Sequence, residues 1–105
     1  MLSTFPEGTR GIVSAARIAG KEGKLKIYDL GGSKNAIEEI RNGNVAGSTP
    51  QYPATVVRSA LQAVALARAG EEVPSSVPLA GVKGLTQGEA PWVDESNADS
   101  FQAEF

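Results

Sequence analysis

An α/β fold with a parallel sheet and crossover helices is the class this sequence predicts, and three observations carry it. Short β-prone runs alternate with longer stretches of helical periodicity, the pattern of strands joined by crossover helices. A glycine follows each helical stretch, at Gly20, Gly43 and Gly70, where a left-handed residue ends a helix. The run Lys24-Leu25-Lys26-Ile27-Tyr28-Asp29-Leu30-Gly31-Gly32-Ser33 reads as a strand that breaks at two glycines and turns into a helix. In an open α/β sheet, the loops at the carboxyl ends of strands are where ligands sit.

The elements follow in order. Met1 to Thr4 has only the length to be the end of a strand. Thr4-Phe5-Pro6-Glu7 resembles a capping box, with a Thr N-cap, Pro in the first turn and Glu three residues on. Ile12, Val13, Ala16, Ile18 and Ala19 then form a helical stripe, so a helix is predicted over 7–19. Lys24 to Asp29 alternates Leu25 and Ile27 against Lys24 and Lys26, as a short strand does. Ser33 can cap the next helix. That helix carries Ala36, Ile37 and Ile40 on one face and Glu38, Glu39 and Arg41 on the other, and Asn42-Gly43 closes it. Asn44 to Thr49 is a weak strand of small residues. Pro50 to Pro53 must be extended, because a residue before proline is pushed out of the α region. A helix over 54–69 follows, with Val56, Val57, Ala60, Leu61, Val64, Ala65 and Leu66 as a broad apolar face expected to be core, unless the chain is an incomplete part of its fold and leaves it exposed. Val77 to Val82 reads as a last strand. Beyond it the chain is polar, with Trp92, Phe101 and Phe105 as scattered anchors. A sheet this thin leaves backbone groups unpaired at its edge, which predicts that the chain is part of a larger sheet.

Composition narrows the function classes. The 105 residues hold 41% hydrophobic side chains and a formal charge of -2, ordinary for one small domain. Ten basic and twelve acidic residues are dispersed, so no nucleic-acid footprint or polybasic membrane patch forms. There are no cysteines and no histidines, which excludes disulfides, thiolate metal sites, cysteine nucleophiles and histidine-based acid/base pairs. No apolar run approaches the ~20 residues of a membrane span. Met1-Leu2-Ser3-Thr4-Phe5-Pro6 lacks the basic and apolar regions of a signal peptide. Gly31-Gly32-Ser33-Lys34 is not a phosphate-binding Walker loop, because the second glycine-lysine pair is absent. No constellation for chemistry is present; a non-enzymatic protein without cofactor or metal is expected.

Ala19-Gly20-Lys21, a strand, Leu30-Gly31-Gly32-Ser33, the run from Ala36 through Gly43 to Pro50-Gln51-Tyr52-Pro53, and an amphipathic helix ending in Gly70-Glu71 together resemble the C-terminal part of a periplasmic sugar-binding protein. The resemblance is to the ribose/galactose-type solute receptor of an ABC importer, over roughly Thr4 to Val82. It implies a partial periplasmic-binding-protein type I fold with incomplete lobes. Residues 1–50 would end the second ligand-binding lobe. Residues 51–76 would be a hinge crossing and a first-lobe helix, and 77–105 a return crossing and C-terminal tail. The partners implied are a small sugar or polyol and, for the full-length parent, the transporter permease. The parent would be periplasmic or lipid-anchored outside the membrane, and about two hundred residues would lie upstream.

Site residues transfer position by position. The loop opening the first helix often supplies an Asn or Asp to the sugar; Phe5 stands there, with Glu7 beside it. Phe5 can stack on an apolar sugar face and Glu7 can accept hydroxyl hydrogen bonds, while the residues alone also allow a hydrophobic helix start and half a capping box. After the second strand the family usually places an Asp before a glycine. Here that position is Gly31, and the nearest carboxylate is Asp29. A glycine lets backbone N–H groups approach a ligand directly, or simply makes the turn. Gln51 matches the hinge glutamine, whose amide both donates to and accepts from a hydroxyl, and Tyr52 would line the same cleft. The function implied is solute binding for import, in a chain unable to close on ligand alone. Two alternatives stand: the ligand-sensing domain of a LacI-like transcriptional regulator, and a small α/β module that self-associates through its exposed sheet edge.

Overall fold

The computed structural model describes residues 1–75 and 91–105. The elements run β1 (Leu2–Ser3), α1 (Pro6–Ile18), β2 (Tyr28–Gly31), α2 (Lys34–Arg41), β3 (Gly47–Pro50) and α3 (Pro53–Ala69). The strands form a parallel sheet in the order β1-β2-β3. The protein is therefore a small α/β structure in which α1 and α2 are the crossovers. The strand expected over 77–82 lies outside the described residues.

Helices α1 and α2 pack on each other and on one face of the sheet. Val13 from α1 and Ile37 and Ile40 from α2 meet Ile27 and Val45 in that layer. Alternation along β2 puts Asp29 and Gly31 on the buried face and leaves Tyr28 and Leu30 on the other. Leu2 sits opposite Tyr28 in the register and is more exposed still on that second face. Parallel sheets normally have helices on both faces; among the described residues one helical layer is present.

Several boundaries differ from the sequence expectation. The first helix has Phe5, not Thr4, at its N-cap, and no side chain caps it. The reason is local: the Phe5 carbonyl already accepts from Ser3 Oγ at 2.9 Å and from the Thr9 N–H at 3.3 Å, and Pro6 removes a donor at N1. The second strand lies at 28–31 rather than 24–29. Lys24 belongs to a turn, its N–H donating to the Lys21 carbonyl at 3.0 Å, and pairing with the short β1 fixes the ladder at Tyr28. Gly31 does not break the strand but ends it, paired with Pro50. The third strand shifts likewise, from 44–49 to 47–50.

Of the two environments expected for the last helix, the structure shows the exposed one. Its apolar face is not core: Val56, Val57, Leu61 and Val64 are each more than half exposed, and Thr55 is the helix's one buried residue. Seventeen residues of helix span about 26 Å, and the molecule is correspondingly elongated, 60 × 23 × 18 Å. Helix α3 leaves the body after its first turn.

The segment after residue 91 is not a polar tail. Val93 pairs antiparallel with Ser48 through two hydrogen bonds, 2.8 and 2.9 Å, and is fully buried. Trp92 lies on Gly47 and against the Tyr28 ring, with centroids 5.9 Å apart. Ala98 and Phe101 join the core beside Tyr52. Arg41 ties this segment to α2, donating to the Asp99 carboxylate at 3.0 Å and the Ala98 carbonyl at 2.8 Å.

Candidate functional site

Because the three strands are parallel and consecutive, their carboxyl ends open on one rim. The strand-to-helix loops at Thr4-Phe5, Gly32-Ser33 and Gln51-Tyr52 all emerge there. The rim is closely knit. The Gln51 N–H donates to the Gly31 carbonyl at 2.8 Å. A Cβ at Gly31 would lie 3.2 Å from Cγ of Pro6 and 3.7 Å from Cζ of Phe105. Gly32 approaches Pro50 more closely still. Ser33 caps α2 as expected, accepting from the Ala36 N–H at 3.2 Å.

The structure sorts the six residues singled out from sequence into two groups. Phe5 and Glu7 are exposed at the start of α1, Gly31 is buried at the end of β2, and the Gln51 side chain is exposed at the end of β3. These four share the rim. Asp29 and Tyr52 do not present side chains to it.

Asp29 is 1% exposed and sits beneath the rim. Its Oδ1 accepts from the Thr9 hydroxyl, and its Oδ2 accepts from Ser48 Oγ at 2.7 Å and the Gly32 N–H at 3.1 Å. Ser3, Asp29 and Ser48 are register partners, so a polar row crosses the buried face of the sheet. A buried carboxylate is tolerable only when its oxygens are satisfied. This one is satisfied by α1, by its own loop and by β3, and it locks the three together.

Tyr52 is 7% exposed, its ring edge-on to Phe101, and its hydroxyl has no hydrogen-bond partner among the described residues. Burial, reinforced by the nearby negative charge of Glu104, pushes its hydroxyl pKa up. Tyr52 also occupies the N-cap of α3 without capping it. That task falls to Glu104, whose Oε2 accepts from the Thr55 N–H at 2.9 Å and whose Oε1 accepts from the Thr55 hydroxyl. Similarly, the Phe105 carbonyl accepts from the Lys34 N–H at 2.7 Å, at the start of α2. Sequence reading did not find Thr9, Ser48 or Glu104. Only Asp29's parity with Ile27 signalled a buried carboxylate in need of donors.

Partial burial pushes the Glu104 carboxyl up, but the Thr55 hydroxyl and N–H, the Ala54 N–H and the Arg58 charge outweigh it and hold the pKa below the usual glutamate value. A carboxylate whose folded pKa is depressed stabilises the folded form above its unfolded pKa and loses that contribution as pH falls through the folded one. The hold on α3 is therefore expected to weaken below pH ~4.3. Helical ellipticity should fall in that window, and Glu104→Gln should flatten the change. An unaltered acid profile in that variant would refute the assignment.

Among the described residues no cluster of acidic side chains is placed to hold a metal ion, and no helix is long and apolar enough to cross a membrane. No protein-family model matches the chain, and no curated protein matches it.

Proposed function

We propose that this chain is one wall of a sugar- or polyol-binding receptor of the periplasmic type, serving import through an ABC transporter. Residues 1–50 form the end of the second lobe, 51–76 a crossing and a helix of the first lobe, and 77–105 the return. The observation that carries the reading is the departure of α3. A third crossover helix would fold back onto the sheet beside α1 and α2. Instead the chain passes Pro50-Gln51-Tyr52-Pro53 and leaves, its apolar face uncovered by the described residues, as a helix belonging to the other lobe does. The second sheet face, on which Trp92 is the cover among the described residues and Leu2 stays two-thirds exposed, supports the same incompleteness.

In this reading Gln51, at the crossing, hydrogen-bonds a ligand hydroxyl, and Phe5 supplies an apolar surface. Glu7 accepts from a second hydroxyl. Gly31 contributes backbone rather than a carboxylate, and Asp29 braces the loop from beneath.

A thermal-shift screen of pentoses, hexoses and polyols tests this. On a chain extended upstream of Met1 to include both lobes, one of these solutes should raise the melting temperature saturably, by mass action. Gln51→Ala should weaken that binding at least about tenfold, the order expected when a buried polar contact is lost. The 105-residue chain alone should show no shift. A saturable shift on the short chain, or none on the long one with any solute, would overturn the proposal.

A second reading is favoured by one feature. β1 is an edge strand of two residues. Beside it a cavity of about 420 Å³ is lined by Met1, Gly8, Gly11, Ile12, Ala15 and Leu25. An unpaired edge next to an apolar groove is a template for association. Light scattering separates the two, since a module that self-associates runs as a dimer or larger.

A further inference from the structure

We propose that residues 101–105 are an internal strap seated across part of the carboxyl-end rim, covering Gly31 while holding α3 to the body. Three contacts carry this. The Glu104 carboxylate takes the Thr55 N–H and hydroxyl at the first turn of α3. The Phe105 carbonyl takes the Lys34 N–H at the first turn of α2. The Phe105 ring lies over Gly31, near Pro6. The first-turn N–H groups of a helix have no intrahelical partner, and both helices begin on the rim. The strap thus satisfies one free donor on each and covers the glycine between them.

The geometry makes the strap a single device. Phe101 is buried against Tyr52 and anchors one end. Beyond that anchor Gln102 is exposed and Ala103, Glu104 and Phe105 are half-buried or exposed, so the segment is held by a few polar contacts, the Phe105 ring and the small Ala103 side chain against the core. Segments held in this way open at the low end of a protein's local stability range. A solute reaching Gly31 displaces Phe105, and losing Phe105 loosens the adjacent Glu104. α3 is then freed at the moment the rim opens. The consequence for ligand access rests on the rim being the binding site; the strap itself does not.

Amide hydrogen exchange on the full chain reads the strap alone. In the wild-type chain the Lys34 and Thr55 amides should be protected. Glu104→Gln should speed exchange of both by at least tenfold, although only Thr55 touches Glu104. Phe105→Ala should do the same, although its ring accepts from neither amide. The Leu30 and Ile40 amides, inside the sheet and α2, should keep their wild-type rates. If each variant affected only the amide it touches, the contacts would be independent caps and the strap would be refuted. If Leu30 and Ile40 accelerated together with the rim amides, the segment would be part of the core and the proposal would equally fail.

Discussion

Replacing Asp29 by alanine is expected to destabilise the fold by at least about 3 kcal/mol, read as a lowered denaturation midpoint. The substitution leaves the Thr9 hydroxyl, the Ser48 hydroxyl and the Gly32 N–H facing an empty buried space. Each buried donor left unpaired costs about 1–3 kcal/mol. The two hydroxyls can rotate toward other acceptors, but the Gly32 amide is fixed by its loop, so the sum falls short of three full penalties. A domain of this length has about 5–15 kcal/mol in total, so the loss takes a large share. Asp29→Asn should also destabilise, because its amide nitrogen turns a donor toward the donors already there. Restoration to near wild-type stability by Asp29→Ala combined with Thr9→Val and Ser48→Ala would fit the same logic, with the Gly32 N–H as the residual cost. An alanine variant within about 1 kcal/mol of wild type, the ordinary cost of an unremarkable substitution, would remove Asp29 as the lock.

Gly32→Ala is expected to cost about 3 kcal/mol. Gly32 has φ +63°, and a Cβ there would stand 2.6 Å from Cβ and 2.7 Å from Cα of Pro50. The left-handed backbone alone costs an alanine roughly 1–2 kcal/mol. The overlap with Pro50 adds about 1–3 kcal/mol, because it meets a proline ring and backbone rather than the end of a flexible side chain. Gly43→Ala is the control: it has a similar φ of +75°, but nothing lies within 4 Å. It should cost only the backbone term, and denaturation of the two variants separates strain from collision. Equal losses would show that Pro50 yields.

How much of this was legible follows from what each signal measures. The helix ends were readable because Gly20, Gly43 and Gly70 all take positive φ, a demand that only local chemistry makes. The Ser33 cap was readable for the same reason. The phase of the second strand was readable too: odd positions face inward at Ile27, Asp29 and Gly31. Its limits were not, because pairing with β1 sets them from twenty-six residues away. That phase also places Asp29 on the buried face, so the residue read as the nearest ligand carboxylate is a brace under the rim. The apolar stripe of α3 shows that something is meant to cover it and says nothing about what. The 91–105 segment has no periodicity, so the burial of Val93 and the reach of Glu104 to Thr55 had no local signature. Of the rim, sequence supplied Phe5, Glu7, Gly31 and Gln51; the contacts of the strap come from tertiary structure alone.

The isolation of α3 has a mechanical consequence. The helix is gripped at its first turn, by Thr55 and Glu104, and beyond that turn packs on no other helix or strand among the described residues, over a helix about 26 Å long. It is a lever with its fulcrum beside the rim. A rotation of roughly 10° at the fulcrum would carry the far end, near Ala69, through about 4–5 Å, by the same helix length. Pro50 and Pro53 stiffen the chain at the pivot, so motion there is transmitted rather than absorbed. A displacement at Gly31 too small to alter the sheet would thus reach Leu61 and Val64 magnified, as a sweep of their exposed apolar surface.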